Sequence, residues 1–346
     1  PRTINEWIVL ARSVVSVSAG KAIRLKQIFP IANDAADWDD SGLLHAHTLT
    51  SDVQAQLNAM SSPQVTELVY VDSSFSGTST GSVTAPYSNL GTALTAKLID
   101  DSTIRYHFKL APGTYTGTVS IDHTTPATQS FSIEGSGMNN TIIQGAASFS
   151  GSTGNVLFFR DFKEIEIKNL TIRHGAYGFY PRACEKVVMQ EVAFKHCGSL
   201  GTETRHNQTA TQAEQATYWG GSDTSDGGAV RFRTIGEVAI HNCEVSYCAR
   251  GLRLQDCGSD NRASIVTGCR VYRTLEAAIY CAASSYTGTD GCKNMLITGN
   301  QVLEPSNNGI LVIGGKDVTV SNNNIVRSAN AGVMQWHSLD SRIIGN

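Results

Sequence analysis

Ile167-Lys168-Asn169, Met189-Gln190-Glu191, Ile240-His241-Asn242, Val266-Thr267-Gly268, Ile297-Thr298-Gly299, Val320-Ser321-Asn322 and Ile344-Gly345-Asn346 repeat one pattern, and that pattern decides the fold. Each sets an apolar residue beside a small or polar turn residue. In the first six, another apolar residue follows three places after the turn: Ile172, Phe194, Val245, Val271, Val302 and Ile325. Subtracting successive third positions gives spacings of 22, 51, 26, 31, 23 and 24 residues. A period near 23 with strand-like segments predicts a stacked solenoid, because one coil cannot bury its apolar face without a neighbour. Unequal spacings predict loops of different length leaving one surface, where insertions carry function.

A second strand follows each turn. Phe179, Val230, Leu252, Ile279, Ile310 and Val333 form the expected inward column. Alternation then sends Tyr180, Arg231, Arg253, Tyr280, Leu311 and Met334 outward. The 51-residue interval reads as one coil with a long loop from Ser199 to Asp226, because that stretch shows no strand pattern.

Composition narrows the function classes. The 346 residues carry 41% hydrophobic residues, enough for a core, and only 16% charged residues with a net charge of −3. With no basic tract, this argues against a nucleic-acid binder. No apolar run approaches the ~20 residues of a membrane-spanning helix. Pro1-Arg2-Thr3-Ile4 does not resemble a signal peptide, and a stop at a repeat turn leads us to expect a fragment with further coils beyond Asn346. Eight cysteines lie between Cys184 and Cys292. Register places Cys243 beside Cys269 and Cys197 beside Cys248, ~4.8 Å apart and within disulfide reach. Free packed thiols are expected, and no CxxC spacing points to zinc.

Residues 1–66 do not follow the repeat and read as a separate module. It holds a strand at Ala22–Phe29 and a short helix over Ser51–Met60. Residues 67–346 read as the solenoid. It opens with the strand Leu68-Val69-Tyr70-Val71-Asp72, a Gly/Ser/Thr loop, and a helix capped by Ser88 or Asn89 with Leu90, Ala93, Leu94 and Leu98 on its apolar side. Tyr70 to Asp72, Ala85 to Leu94 and the turn Pro112-Gly113-Thr114-Tyr115 resemble the opening of the pectin-lyase-like right-handed parallel β-helix superfamily. The resemblance covers roughly residues 68–346. It implies an all-β, right-handed parallel β-helix, a fold that hosts lyases, hydrolases, epimerases and fibres alike.

His45-Ala46-His47-Thr48-Leu49 and the residues through Leu57 resemble segments of bacteriophage tail fibres. That implies a tailspike- or tail-fibre-like virion protein, assembled in the host cytoplasm and located in the tail. Its partners would be a host surface glycan and other tail or baseplate proteins, with three copies around an axis and no membrane insertion. His45 and His47 lie on one side of an extended strand. Three chains would offer six imidazoles to an axial metal ion, or the two histidines are surface residues before a helix.

The outward residues Tyr180, Arg231, Arg233, Arg253 and Tyr280, with Trp219 of the long loop, are the candidate glycan-binding set. Aromatic faces stack on sugars, and guanidinium groups take carboxylates through two parallel hydrogen bonds. A solvated sheet face is the alternative for the same side chains. A polysaccharide depolymerase, lyase or glycosidase, would need converging carboxylates, for which Asp223, Asp226, Asp256 and Glu276 are candidates. The Asn-Thr-Asp and Asp-Pro-His-Glu motifs of β-helical hydrolases and epimerases are absent, and Asp-Asp occurs only ahead of the repeats, at Asp39-Asp40 and Asp100-Asp101. A structural solenoid without a ligand is the third possibility. His174 and His196 are expected to stack near a turn.

Overall fold

The computed structural model describes residues 66–98, 104–123, 129–145, 154–198, 227–283 and 291–346. All lie in the unit Gln64–Asn346. The expected module at 1–66 falls outside the described residues, apart from Thr66.

The described chain is a right-handed parallel β-helix with three faces. The first face runs from Thr66–Val71 through Glu164–Arg173 and Lys186–Lys195 to Arg342–Ile344. The C-terminal halves of those two long strands join the second face, which continues through Glu244–Ser246, Arg270–Tyr272 and Gln301–Leu303. The third face stacks Val119–Asp122, Leu157–Arg160, Tyr177–Arg182, Gly228–Arg233, Leu252–Gln255, Ile279–Ala282, Ile310–Ile313 and Val333–Trp336.

The predicted columns stack in register. Phe179 pairs with Val230, then Leu252, Ile279, Ile310 and Val333. The first five are buried completely and Val333 packs against the same core. Ile172, Phe194, Val245, Val271, Val302 and Ile325 do likewise on the second face. Val187 pairs directly with Val238, so the 51-residue interval is a single coil.

The turn residues explain why the coil bends where it does. Asn169, Glu191, Asn242, Gly268, Gly299 and Asn322 all have φ between 52° and 66°. The left-handed backbone swings the chain from the first face to the second, and Asn and Gly adopt it at least cost. His174, His196, Tyr247, Arg273, Glu304 and Arg327 hold the same conformation at the next corner.

The seventh triplet requires a correction. Val320 pairs with Ile343 and Ser321 with Ile344, so Ile343-Gly345 is the equivalent stretch and Gly345, at φ 61°, is the turn residue. The last spacing is therefore 345 − 322 = 23 residues, not 24. Two adjacent isoleucines left alternation unable to fix the register, and Asn346 resembled a turn asparagine.

Asn346 instead ends an internal asparagine ladder. The Cys269 N–H donates to Asn300 Oδ1 at 2.9 Å. Asn300 Nδ2 donates to Val266 O at 3.0 Å and to Asn323 Oδ1 at 2.9 Å. Asn323 N and Nδ2 donate to Asn346 Oδ1 at 3.0 and 2.8 Å. Each side chain satisfies backbone groups that the corner takes out of the strand ladder. Asn323→Ala should cost about 1–3 kcal/mol, because it strips the Asn300 N–H of its acceptor. Urea unfolding within ~0.5 kcal/mol of wild type would show that water replaces the rung.

The helix near the start of the solenoid forms with the expected cap and apolar side. Asn89 Oδ1 accepts from the Thr92 N–H at 2.9 Å and caps the helix Leu90–Leu98. Its buried Leu90, Ala93, Leu94 and Leu98 join the core. The turn at Pro112-Gly113 brings Tyr115 back, and its hydroxyl donates to Val71 O and Ala111 O at 3.0 and 2.9 Å.

All eight cysteines are buried free thiols. The Cys197 N–H meets Cys248 Sγ at 3.5 Å, as register requires. Burial, then contact with Cys248, pushes the Cys197 thiol well up; Cys243 is raised in the same way beside Cys269. A third group, Cys257 and Cys281 around Cys292, was not foreseen because its members come from different positions in their coils.

Candidate functional site

The third face carries the candidate site. Its strands expose every second residue, so Phe158 and Tyr180 pair across one coil boundary and Arg231 and Arg253 across another. Tyr280 follows Arg253 in register. Phe158, Tyr180, Arg231, Arg253 and Tyr280 thus form one outward, partly exposed column.

The rings and guanidinium groups of this column touch. Phe158 meets Tyr180 edge to face at 5.3 Å. The Arg231 guanidinium lies 5.1 Å from the Tyr180 ring centre and 5.8 Å from that of Tyr177. Arg253 lies 5.6 Å from the Tyr280 ring centre. Arg231 Nη2 donates to Gln255 Oε1 at 3.3 Å, and Arg253 Nη1 to the Tyr177 hydroxyl at 3.4 Å. The column is therefore a fixed surface with alternating aromatic and cationic character, and the arginine planes are oriented before any ligand arrives.

Tyr177 was missed by the sequence reading. It is buried, starts its strand, and holds both arginines. Arg182 and Arg160 were missed too, although alternation beyond Tyr180 and Phe158 points to them. Arg160 pairs with Arg182, and Arg182 with Arg233, forming a second outward column. Arg233, named from the sequence, belongs to this column and not to that of Arg231. Trp219, His45 and His47 lie outside the described residues, as do Asp223 and Asp226. Among the described residues no group of three or more potential ligands could hold a metal ion.

Of the four candidate carboxylates, Asp256 and Glu276 lie among the described residues, and they do not converge. The Glu276 N–H bonds Ala249 O, before the strand Leu252–Gln255, whereas Asp256 follows that strand. The seven steps of largely extended chain from 249 to 256 correspond to on the order of 20 Å. A glycosidase needs ~5–9.5 Å between its carboxyl groups. Glu276 is also engaged by Arg250, with Nη2 to Oε1 at 2.9 Å and Nε to Oε2 closer still. Burial works against the Arg250 charge, but the Glu276 hydrogen bond and charge raise its pKa above the ordinary value. The pair fastens the corner where the chain enters the third face.

His174 and His196 sit at matching positions of adjacent coils, as expected, with ring centres 6.2 Å apart and the rings tilted by 50°. His196 lies parallel to Tyr247 at 5.4 Å, an interplanar angle of 4°. The stacked pair at this corner is therefore His196 with Tyr247, and Tyr247 in turn meets Tyr272 edge to face at 5.4 Å.

The fold and this face define a solenoid that presents a long, flat, mixed aromatic and cationic surface. The family model for the right handed beta helix region matches residues 155–325 and 259–346, together more than half of the 346 residues, and the chain belongs to that family. Among solved structures, pectin methylesterase PemA from Erwinia chrysanthemi is similar at 10% identity and a TM-score of 0.41. The match covers 78% of this chain and 80% of that one. A pectin methylesterase mutant in complex with a hexasaccharide is similar at 10% identity and a TM-score of 0.40, with the same coverage. No curated protein matches the chain.

Proposed function

We propose that the chain is a tailspike- or tail-fibre-like virion protein whose third face recognises a polysaccharide on the host cell surface. The observation that carries the glycan reading is the continuous column from Phe158 through Tyr180, Arg231 and Arg253 to Tyr280, already braced in one conformation. Bound sugars would stack against tyrosine edges and faces while the guanidinium groups of the column take hydroxyl or carboxylate oxygens. Preorganised side chains lose little entropy on binding.

The virion part of the reading rests on the His45–Leu57 segment. Under it, residues 1–66 attach the protein to tail or baseplate partners and three copies assemble around an axis. Eight buried free thiols fit assembly in a reducing cytoplasm.

Incubation with a panel of bacterial surface polysaccharides, scored for binding and for chain shortening, tests the glycan reading. One or more should bind, and Arg231→Ala with Arg253→Ala should weaken binding by about 1–3 kcal/mol without unfolding the solenoid. Unchanged binding in that double variant removes recognition from this face. Chain shortening would make the protein a depolymerase. Light scattering that finds only monomers of the full-length protein counts against the trimer.

A further inference from the structure

Arg182 and Arg233 are like charges set directly opposite each other on adjacent coils. Their Cα positions pair in the third-face ladder, where strands lie ~4.8 Å apart, and their stems leave the same side of the sheet. Like charges in that relation destabilise a sheet. The coil below solves the same problem internally: Arg160 pairs with Asp122 at 3.3 Å and with Asp161 at 3.1 Å. No hydrogen bond or ion pair joins the guanidinium of Arg182 or Arg233 to any described residue, and the next position in the column is the neutral Gln255. Both side chains are part-exposed, so an anion can reach them from solvent.

We infer that Arg182 and Arg233 form an oxyanion subsite for the charged substituent of an acidic glycan. The inference rests on the reading of the third face as a glycan surface and adds the ligand's charge. Two guanidinium forks on neighbouring coils offer parallel N–H donors to a single carboxylate or sulfate, which also cancels their mutual repulsion. Tyr180 lies on the same strand as Arg182, and Arg231 on the same strand as Arg233. An anionic sugar held by the second column therefore places its ring against the first. A neutral glycan would leave the two cations opposed, so the subsite selects for charge.

The test compares wild type with R182Q/R233Q, and with R270Q as a control on the second face. In chloride buffer of low ionic strength, R182Q/R233Q should melt above wild type, because the repulsion is gone. Sodium sulfate, against sodium chloride at matched ionic strength, should raise the wild-type melting temperature more than that of R182Q/R233Q. Polygalacturonate and dextran sulfate should bind wild type and R270Q, and bind R182Q/R233Q at least tenfold more weakly, while dextran binds none of them. Equal sulfate shifts in wild type and R182Q/R233Q overturn the subsite, as does equal binding of dextran and dextran sulfate. A sulfate effect that depends on the two arginines, without binding of any polysaccharide, overturns the glycan reading of the face instead. The two failures are thereby distinct.

Discussion

Leu252→Asp should unfold the solenoid at its centre, with a loss of more than about 4 kcal/mol. Leu252 is completely buried between Val230 and Ile279. Removing it forfeits roughly 1.5–3 kcal/mol of burial. The carboxylate then sits among apolar side chains with no cation in reach, so it stays charged at great cost or takes up a proton. Each coil depends on its neighbours, and a defect here separates the coils before it from those after it. Equilibrium urea unfolding measures the loss. A change below ~1 kcal/mol would mean that the column faces solvent and that the register is wrong.

Gly251→Ala should cost at least about 2 kcal/mol, although alanine adds one methyl group. A Cβ at Gly251 would lie 1.9 Å from Ala278 O and 2.8 Å from its carbonyl carbon. That oxygen already accepts the Leu252 N–H at 2.9 Å, so backbone and not a flexible side chain blocks the methyl group. The coils must separate locally. Gly332 holds the equivalent place before Val333, with nothing within 4 Å of a Cβ there. Gly332→Ala should stay within ~0.5 kcal/mol of wild type, or stabilise slightly by restricting the unfolded chain. Equal melting temperatures for the two variants would refute the close stacking at residue 251.

The inward columns were legible in the sequence because burial on one side of a strand imposes a period of two, and Phe179 to Val333 keep it. The first corner was legible because left-handed backbone selects Asn and Gly. The asparagine ladder was not, since Asn300 and Asn323 follow turn residues and resemble more of the same turn. Their inward direction depends on the corner angle. The outward column of Tyr180, Arg231, Arg253 and Tyr280 followed from alternation, but its internal contacts did not. Tyr177 reaches Arg253 across two coils, and no spacing within one coil encodes that. Arg182 was not legible because it lies two residues beyond Tyr180, at the last position of the strand Tyr177–Arg182. Asp256 and Glu276 were grouped because both border the third face. Only the pairing of their coils shows that they stand at opposite edges.

The three final turns, with Gly299, Asn322 and Gly345 at the same corner, repeat every 23 residues and carry matching asparagines at 300, 323 and 346. Excising residues 300–322 would join Gly299 to Asn323, which would then receive the Cys269 N–H in place of Asn300. The junction would reproduce the existing one in sequence and backbone conformation. The solenoid is in this sense a ruler graduated in steps of ~4.8 Å. Its reach can be shortened or lengthened one rung at a time, while the arginines and tyrosines upstream keep their mutual distances. Length and recognition are thus set by separate parts of one chain.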